Sequence, residues 1–143
     1  MQQRSLAQVM LPILGAVYVL LGVVGFAVTG FEGFTQNGPD SLLGGGLNPF
    51  HNIVHIGAGL FLIVMGLQKN AAAAEGAAMG AGLFLIVAFV IGVSAGDNLT
   101  ILSTNGVSDF NNFNHLVVGV TLLVVGLLSS GATSAQMKRR GLA

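Results

Sequence analysis

The chain has 143 residues, of which 53% are hydrophobic and only 7% are charged, and so few charged side chains cannot cover the surface of a soluble domain of this size. The formal net charge is zero, and no basic cluster lies outside the C-terminal tail, which argues against nucleic acid as a partner. The chain has no cysteine, which excludes disulfides, thiolate metal ligands and a thiol nucleophile. The composition therefore predicts an all-α integral membrane protein whose principal partner is the lipid bilayer.

Four long stretches of the sequence contain no charged residue, and each holds about 20 mostly apolar residues. At about 1.5 Å per residue, a helix of that length spans a hydrocarbon core of about 30 Å. The first stretch is too long for the roughly 7–15 apolar residues of a signal peptide, so we interpret it as a retained helix. The sequence predicts a single membrane domain over 1–143, with transmembrane helices near 11–30, 50–68, 77–96 and 112–130.

The positively charged residues all lie in the two tails or in the short connection between the second and third predicted helices. They are Arg4, Lys69, Lys138, Arg139 and Arg140. The outer loops at about 31–49 and 97–111 contain acidic residues but no Lys or Arg. The positive-inside rule therefore predicts a multi-pass protein of the cell membrane with both termini in the cytoplasm. We interpret the glycine run 44–46 in the first outer loop as flexible.

The second and fourth predicted helices resemble each other in sequence. Aligning 48–67 with 108–127 without a gap gives eight identities in 20 positions, and both stretches contain the pattern Asn-x-x-His-x-x-x-Gly. The shared polar residues are Asn52, His55, Asn112 and His115. The repetition predicts a four-helix bundle built from two tandem, parallel helical hairpins, the first at about 11–68 and the second at about 77–130.

Each of these two helices begins with a capping residue and carries a stripe of polar and small residues. Asn48 before Pro49, and Ser108 before Asp109, predict the two N-caps. At about 100° per residue, the Asn, His and Gly residues of each motif fall on one helix face. Because little hydrophobic force acts between helices in lipid, small residues provide the close packing. The predicted packing positions are Gly15, Gly22, Gly59, Gly66, Gly119, Gly126 and, in the third helix, Gly76, Gly80, Gly92 and Gly96.

Two stretches, NPFHNIVH at 48–55 with Gly59 and NFNH at 112–115 with Gly119, carry a family resemblance. They are similar to a domain-of-unknown-function family of small four-helix membrane proteins, found chiefly in bacteria. That family shows an NPxHNxxHxxxG signature in its second helix and an NxxHxxxG echo in its fourth. The resemblance implies the four-helix architecture and implies no activity.

The two Asn-x-x-His pairs allow three interpretations. We favour a structural role, in which Asn and His bond one another and the neighbouring backbone and so hold the outer helix ends together. An alternative is a metal or haem site formed by His51, His55 and His115, since imidazole binds Zn, Cu and haem iron. A second alternative, a small transporter or channel, is weakened because the predicted spans contain no Asp, Glu, Lys or Arg.

The sequence shows no nucleophile with an adjacent base and no paired carboxylates on one helix, so we expect no catalytic residue, no enzyme activity and no cofactor. It predicts a non-enzymatic bundle that acts as an accessory or scaffold component of the cell envelope, with a second copy or another membrane protein as its partner. His51 lies one turn nearer water than His55 and is matched by Asn111 in the second stretch. We therefore expect His51 to matter less for stability.

Overall fold

The computed structural model describes residues 4–36, 41–95, 101 and 108–141. Its elements in chain order are α1 (Leu6–Thr29), β1 (Ser41–Leu42), β2 (Gly45–Gly46), α2 (Pro49–Gly66), α3 (Ala71–Ala95) and α4 (Phe110–Arg139). All four helices are long and apolar enough to cross a membrane. The predicted all-α, four-helix class is confirmed. The predicted end of the third helix at Gly96 and most of the second outer loop lie outside the described residues.

Three helices extend beyond their predicted bounds because small and polar residues continue the helix past the apolar run. α1 begins at Leu6, since Ser5 Oγ accepts from Gln8 N at 3.3 Å and Gln8 Oε1 accepts from Ser5 N at 2.8 Å, forming a capping box. α3 begins at Ala71 because alanine is the strongest helix former. α4 continues to Arg139, where basic side chains suit the negative end of the helix dipole.

The helices pair as two hairpins, α1 with α2 and α3 with α4, and these pairs make by far the most extensive contacts. In the first hairpin, a methyl group on Gly59 would lie 2.5 Å from the Gly15 carbonyl oxygen. In the second, a methyl group on Gly119 would lie 3.0 Å from the Gly82 carbonyl oxygen. Glycine is what lets these backbones approach so closely. Two hairpins in tandem are what the internal repeat predicts, and the repeat itself stays a prediction.

The structure places all six glycines predicted to pack in helices one, two and four at contacts between paired helices. Gly25 and Gly82 also lie at such contacts, although the sequence pattern did not single them out. In α3, Gly92 is buried and Gly96 lies outside the described residues, whereas the predicted packing at Gly76 and Gly80 against another helix of the chain is wrong. Apart from the glycine's own neighbouring helix backbone, no atom of the described part of the chain lies within 4 Å of where a Cβ would stand on either residue. Both border an open groove instead.

The two ends of the bundle differ in chemistry. At the end where α1 and α3 begin, here called the basal end, apolar side chains from all four helices form the core. They are Ala7, Leu11, Leu62, Ala74, Ala77, Ala78, Leu122 and Val125. At the opposite, apical end, where α2 and α4 begin, buried Asn and His side chains lie between the helices.

A short β-hairpin closes the apical end. β1 pairs antiparallel with β2, and the turn between them has positive φ at Leu43 (57°) and Gly44 (87°). Asn111 Nδ2 donates to the Gly46 carbonyl oxygen at 2.7 Å, and Gly46 N donates to Asp109 Oδ2 at 3.4 Å. The glycine run that was expected to be flexible is therefore partly a strand, held against the start of α4.

Candidate functional site

The starts of α2 and α4 bring the predicted polar residues together at the apical end. Asn48 caps α2 as predicted, because its Oδ1 accepts from His51 N at 2.7 Å. The cap of α4 is Asp109, whose Oδ1 accepts from Asn111 N at 2.7 Å, and not Ser108 as predicted. Both caps fix the first helical turn, so the Asn and His side chains that follow are directed into the bundle.

His51 and His55 form a hydrogen-bonded pair one turn apart on α2. Their Nε2 atoms lie 2.9 Å apart and their ring centroids 4.4 Å apart. Such a bond needs one donor and one acceptor nitrogen, so at least one of the two imidazoles is neutral. Both side chains are buried. His51 is thus part of the buried cluster, although its position nearer the helix end predicts a smaller role.

His115 approaches this pair from α4, and its ring stacks on that of His51 with a centroid distance of 6.3 Å and an angle of 17°. Tyr18 of α1 meets His55 edge-on at 5.2 Å, and its buried hydroxyl has no hydrogen-bond partner in the described part of the chain. Three helices thus contribute rings to one cluster. Sequence reasoning missed Tyr18, and the only available signal was that it is the single tyrosine of the chain, within an apolar stretch.

Asn52 and Asn112 are both fully buried. Asn52 Nδ2 donates to Thr29 Oγ1 at 3.0 Å, which ties α2 to the apical end of α1. Gly25 makes room for this bond, because a side chain there would overlap the Asn52 amide. The expected direct bond between Asn52 and His55 is not what the structure holds, since Asn52 bonds Thr29 and His55 bonds the neighbouring histidine.

The described residues contain no group of three His, Asp or Glu side chains placed to hold a metal ion. His51, His55 and His115 lie close together, yet the bond within α2 occupies one nitrogen on each of the first two rings. His55 Nδ1 and His115 Nδ1 are buried and have no hydrogen-bond partner among the described residues. The cluster therefore retains hydrogen-bonding capacity that the described protein atoms leave unused.

An apolar groove leads from this cluster along the bundle between α2 and α3, with a cavity volume of about 430 Å³. Tyr18 and the three histidines line its apical end. Further along, the walls are small or apolar. They include Ala58, Phe61 and Leu62 on α2, and Gly76, Gly80 and Phe84 on α3. The groove is thus polar at its apical end and apolar along the rest of its length.

A family model described as Domain of unknown function (DUF4383) matches residues 8–128. The matched range includes all of α2 and α3, most of α1 and two thirds of α4, and with them the whole apical cluster. The chain belongs to this family. The resemblance to a domain-of-unknown-function family is therefore confirmed. No curated protein and no solved structure matches the chain.

This DUF4383 chain also carries a buried acid at a position for which the sequence predicts a connecting loop. Because α3 begins at Ala71, Glu75 lies inside the helix and is buried. Its Oε1 accepts from Ser129 Oγ at 3.1 Å and from Thr133 Oγ1 at 2.7 Å. Ser129 Oγ accepts in turn from Ala7 N at 3.3 Å, which links α1, α3 and α4 at the basal end. The prediction of helices without an acid is wrong here, and the alanine run before Glu75 is the signal that could have shown it.

Proposed function

We propose that this chain is a non-enzymatic helical bundle that acts as an accessory or scaffold component of the cell-envelope membrane. The strongest support is that the apical polar side chains bond other elements of the same chain. Asn52 bonds Thr29 of α1, and Asn111 bonds Gly46 of the β-hairpin, so polar groups join elements of the chain to one another. In lipid, such bonds and close glycine contacts fix helix positions. A bundle fixed in this way offers constant lipid-facing surfaces to a second copy or to another membrane protein.

Photo-crosslinking in intact cells tests the accessory role. A photoreactive amino acid replaces either Leu20 of α1 or Phe113 of α4, which are 62% and 61% exposed. We expect a discrete adduct from at least one position, either twice the mass of the chain or a larger reproducible species, because an accessory protein spends most of its time in contact with its partner. A monomer band alone from both positions would contradict the proposal.

The absorption spectrum and metal content of the purified protein separate this role from the metal or haem alternative. We expect neither a Soret band nor metal at a stoichiometric level, since His51 and His55 bond each other. A Soret band or one metal ion per chain that disappears in His55→Ala would instead make the cluster a cofactor site.

We also propose that both termini face the cytoplasm, because Arg4, Lys69 and the C-terminal basic residues all lie at the basal end. The absence of native cysteine makes single-cysteine labelling clean. Leu43→Cys in the β-hairpin and Asn70→Cys between α2 and α3 both replace exposed residues. An impermeant maleimide added to intact cells should label the first and not the second. The opposite pattern would invert the orientation.

A small transporter or channel is the second candidate, and the observation in its favour is Glu75. An acid buried within a membrane helix is a candidate for proton or ion coupling. Liposomes that contain the protein and a pH-sensitive dye distinguish the two roles. The scaffold role predicts proton flux equal to that of empty liposomes, whereas a proton-coupled carrier predicts flux that Glu75→Gln removes.

A further inference from the structure

All five Lys and Arg residues of the chain lie at the basal end of the bundle. Arg4 precedes α1, Lys69 lies between α2 and α3, and Lys138, Arg139 and Arg140 lie at the C-terminal end of α4. Each of the five residues is exposed. Together they form one basic surface, contributed by three separate segments of the chain.

Hydrogen bonds between the segments show that they meet at one level of the bundle. Gln8 Nε2 donates to the carbonyl oxygens of Gln68 and Lys69, at 2.6 and 3.5 Å, which brings the start of α1 against the connection between α2 and α3. Ala7 N donates to Ser129 Oγ at 3.3 Å, so α4 passes the start of α1 at that serine. The basic residues of the first two segments therefore lie at the same end face of the bundle.

α4 continues past that level. Lys138 is nine residues beyond Ser129, about 14 Å along the helix axis, and every residue of 134–140 is exposed. Because charged side chains avoid the hydrocarbon core, the exposed Lys69 indicates that the core ends near the level of Ser129. A headgroup layer is about 5–8 Å thick, so Lys138 lies about one Debye length, roughly 8 Å, from its outer edge. The charges at the end of α4 therefore still act on the headgroups.

No exposed acid offsets these charges within the described part of the basal end. Glu75 is the one Asp or Glu there, and it is buried, with its Oε1 accepting from the Ser129 and Thr133 hydroxyl groups. The other acids of the chain lie between α1 and α2 or between α3 and α4, and they are Glu32, Asp40, Asp97 and Asp109. The net charge of zero thus divides into a positive basal surface and acidic segments that join helices at the apical end.

We infer that the basal end binds anionic phospholipids, whose headgroups carry a net negative charge. Lys69 and Arg4 bind headgroup phosphates at the edge of the hydrocarbon core, and the three basic residues at the end of α4 attract them from just beyond the headgroup layer. Clusters of four or more basic residues beside membrane helices have this effect on anionic lipids. Lipid is favoured over an acidic protein because this surface lies at headgroup depth, where lipid already surrounds the bundle. The site goes beyond the scaffold role and does not depend on it.

Single tryptophans can report on the lipid at each end, because the chain has no native tryptophan. Ile53 and Val64 are eleven residues apart on α2, about three turns, so they share a helix face with one near each end. Val117 and Leu128 form the same kind of pair on α4. All four side chains are exposed, and none lines the groove between α2 and α3.

Quenching by brominated lipids tests the proposal. Each tryptophan variant of the full chain is reconstituted in mixtures of phosphatidylglycerol and phosphatidylcholine in which one lipid has brominated acyl chains. We expect phosphatidylglycerol to bind about fivefold more strongly than phosphatidylcholine at Val64→Trp and Leu128→Trp, which corresponds to about 1 kcal/mol per basic residue. At Ile53→Trp and Val117→Trp we expect no preference for phosphatidylglycerol. In about 1 M salt the basal preference should disappear, because the Debye length falls to about 3 Å.

Charge removal links the preference to the basic surface. We expect Lys69→Gln to lower the preference at Val64→Trp, and the triple change Lys138→Gln, Arg139→Gln and Arg140→Gln to lower it at Leu128→Trp, in each case to less than about twofold. Glu32→Gln is the matched control, because it removes one charge from an exposed residue outside the basal end and should leave both basal values unchanged.

Two results would overturn the lipid site. One is an equal preference at both ends of the bundle, or none at either, which would leave the basic surface to an acidic protein. The other is a basal preference that survives both sets of charge removal. Either result would leave the cellular crosslinks expected from the scaffold role unaffected, so the two proposals fail separately.

Discussion

Each of the two hairpins has a close glycine contact between the backbones of its two helices. Gly15 faces Gly59 in the first hairpin, and Gly82 faces Gly119 in the second. In each case the helices approach until no side chain fits between the two backbones, and the contact lies well inside both helices. In lipid, close packing of small residues supplies much of the stabilisation that hydrophobic burial supplies in water. We call the two glycine contacts, Gly15 with Gly59 and Gly82 with Gly119, the frame of the hairpins.

The hairpins differ in the polar groups at their ends. At the apical end, His51 bonds the histidine one turn further along, whereas its counterpart Asn111 bonds the β-hairpin. At the basal end, Gln8 of α1 donates to the Gln68 carbonyl oxygen at 2.6 Å, whereas Glu75 of α3 accepts from two hydroxyl groups of α4. A shared frame thus carries two different sets of polar contacts. Variants made in pairs, one in each hairpin, measure the contribution of the frame to stability separately from that of the polar contacts.

The largest effect is expected when the frame itself is changed, by Gly59→Leu or by Gly119→Leu. A leucine side chain must push apart backbones that are already in contact, and we expect each variant to lose about 3 kcal/mol of unfolding free energy. The measurement is reversible unfolding in mixed micelles titrated with dodecyl sulfate. Similar losses in the two hairpins would support the shared frame.

Gly57→Leu is the control for this pair, because it also adds leucine to α2 but at an exposed position with open space around it. Its unfolding free energy should change by about 0.5 kcal/mol or less. If Gly119→Leu were tolerated and Gly59→Leu were not, the frame would not be shared. The internal repeat would then be a property of the sequence alone.

A smaller effect is expected from the histidines, where the hairpins differ. His55→Ala removes the bonded partner of His51, so we expect a loss of about 2 kcal/mol, and a loss greater than that of His115→Ala. A double-mutant cycle isolates the bond. The coupling energy between His51 and His55 should be about 1 kcal/mol, and that between His51 and His115 should be about 0.5 kcal/mol or less. Equal coupling in both cycles would mean that the three rings act as one unit, as they would around a shared ligand.

The sequence predicts the parts of this fold that depend on length and periodicity. An apolar run of about 20 residues has few alternatives to a membrane helix, so the four helices follow from it, and the cap at Asn48 follows from local chemistry. The helix ends do not follow in the same way. α3 begins at Ala71 because alanine is a strong helix former, so the alanines that precede the apolar stretch extend the helix toward its N-terminus. That extension moves Glu75 from a predicted loop into the bundle.

The sequence predicts which helix face carries the polar residues and how deep in the bundle they lie, but it does not predict which groups they bond. The Asn-x-x-His spacing indicates that Asn52 and His55 share a face, and both are buried. The group that each one bonds depends on where neighbouring helices and turns place their side chains, as the bond from Asn52 to Thr29 shows. Small-residue spacing has the same limit. It marks a face on which close approach is allowed, and at Gly76 and Gly80 no helix occupies that face in the described structure.

The smallest effect is expected at the basal end, where Glu75 and Gln8 distinguish the hairpins. Glu75→Leu removes the acceptor of two hydroxyl groups and should cost about 1 kcal/mol, because Ser129 and Thr133 can turn to carbonyl oxygens one turn back in α4. Gln8→Leu should cost a similar amount, since the Gln68 carbonyl oxygen then loses its donor.

Glu75→Gln is the variant that sharpens this last comparison, because glutamine keeps an oxygen that can accept from both hydroxyl groups and removes only the acid. If the acid serves as a helix tie, the unfolding free energy should fall by about 0.5 kcal/mol or less, and the basal ends of the two hairpins should then behave alike. A loss of about 3 kcal/mol, the size expected when a buried charge network is broken, would show that a negative charge is used at this position. Glu75 would then be a functional group for which the first hairpin has no equivalent, and the carrier hypothesis would gain the ionisable residue that it requires.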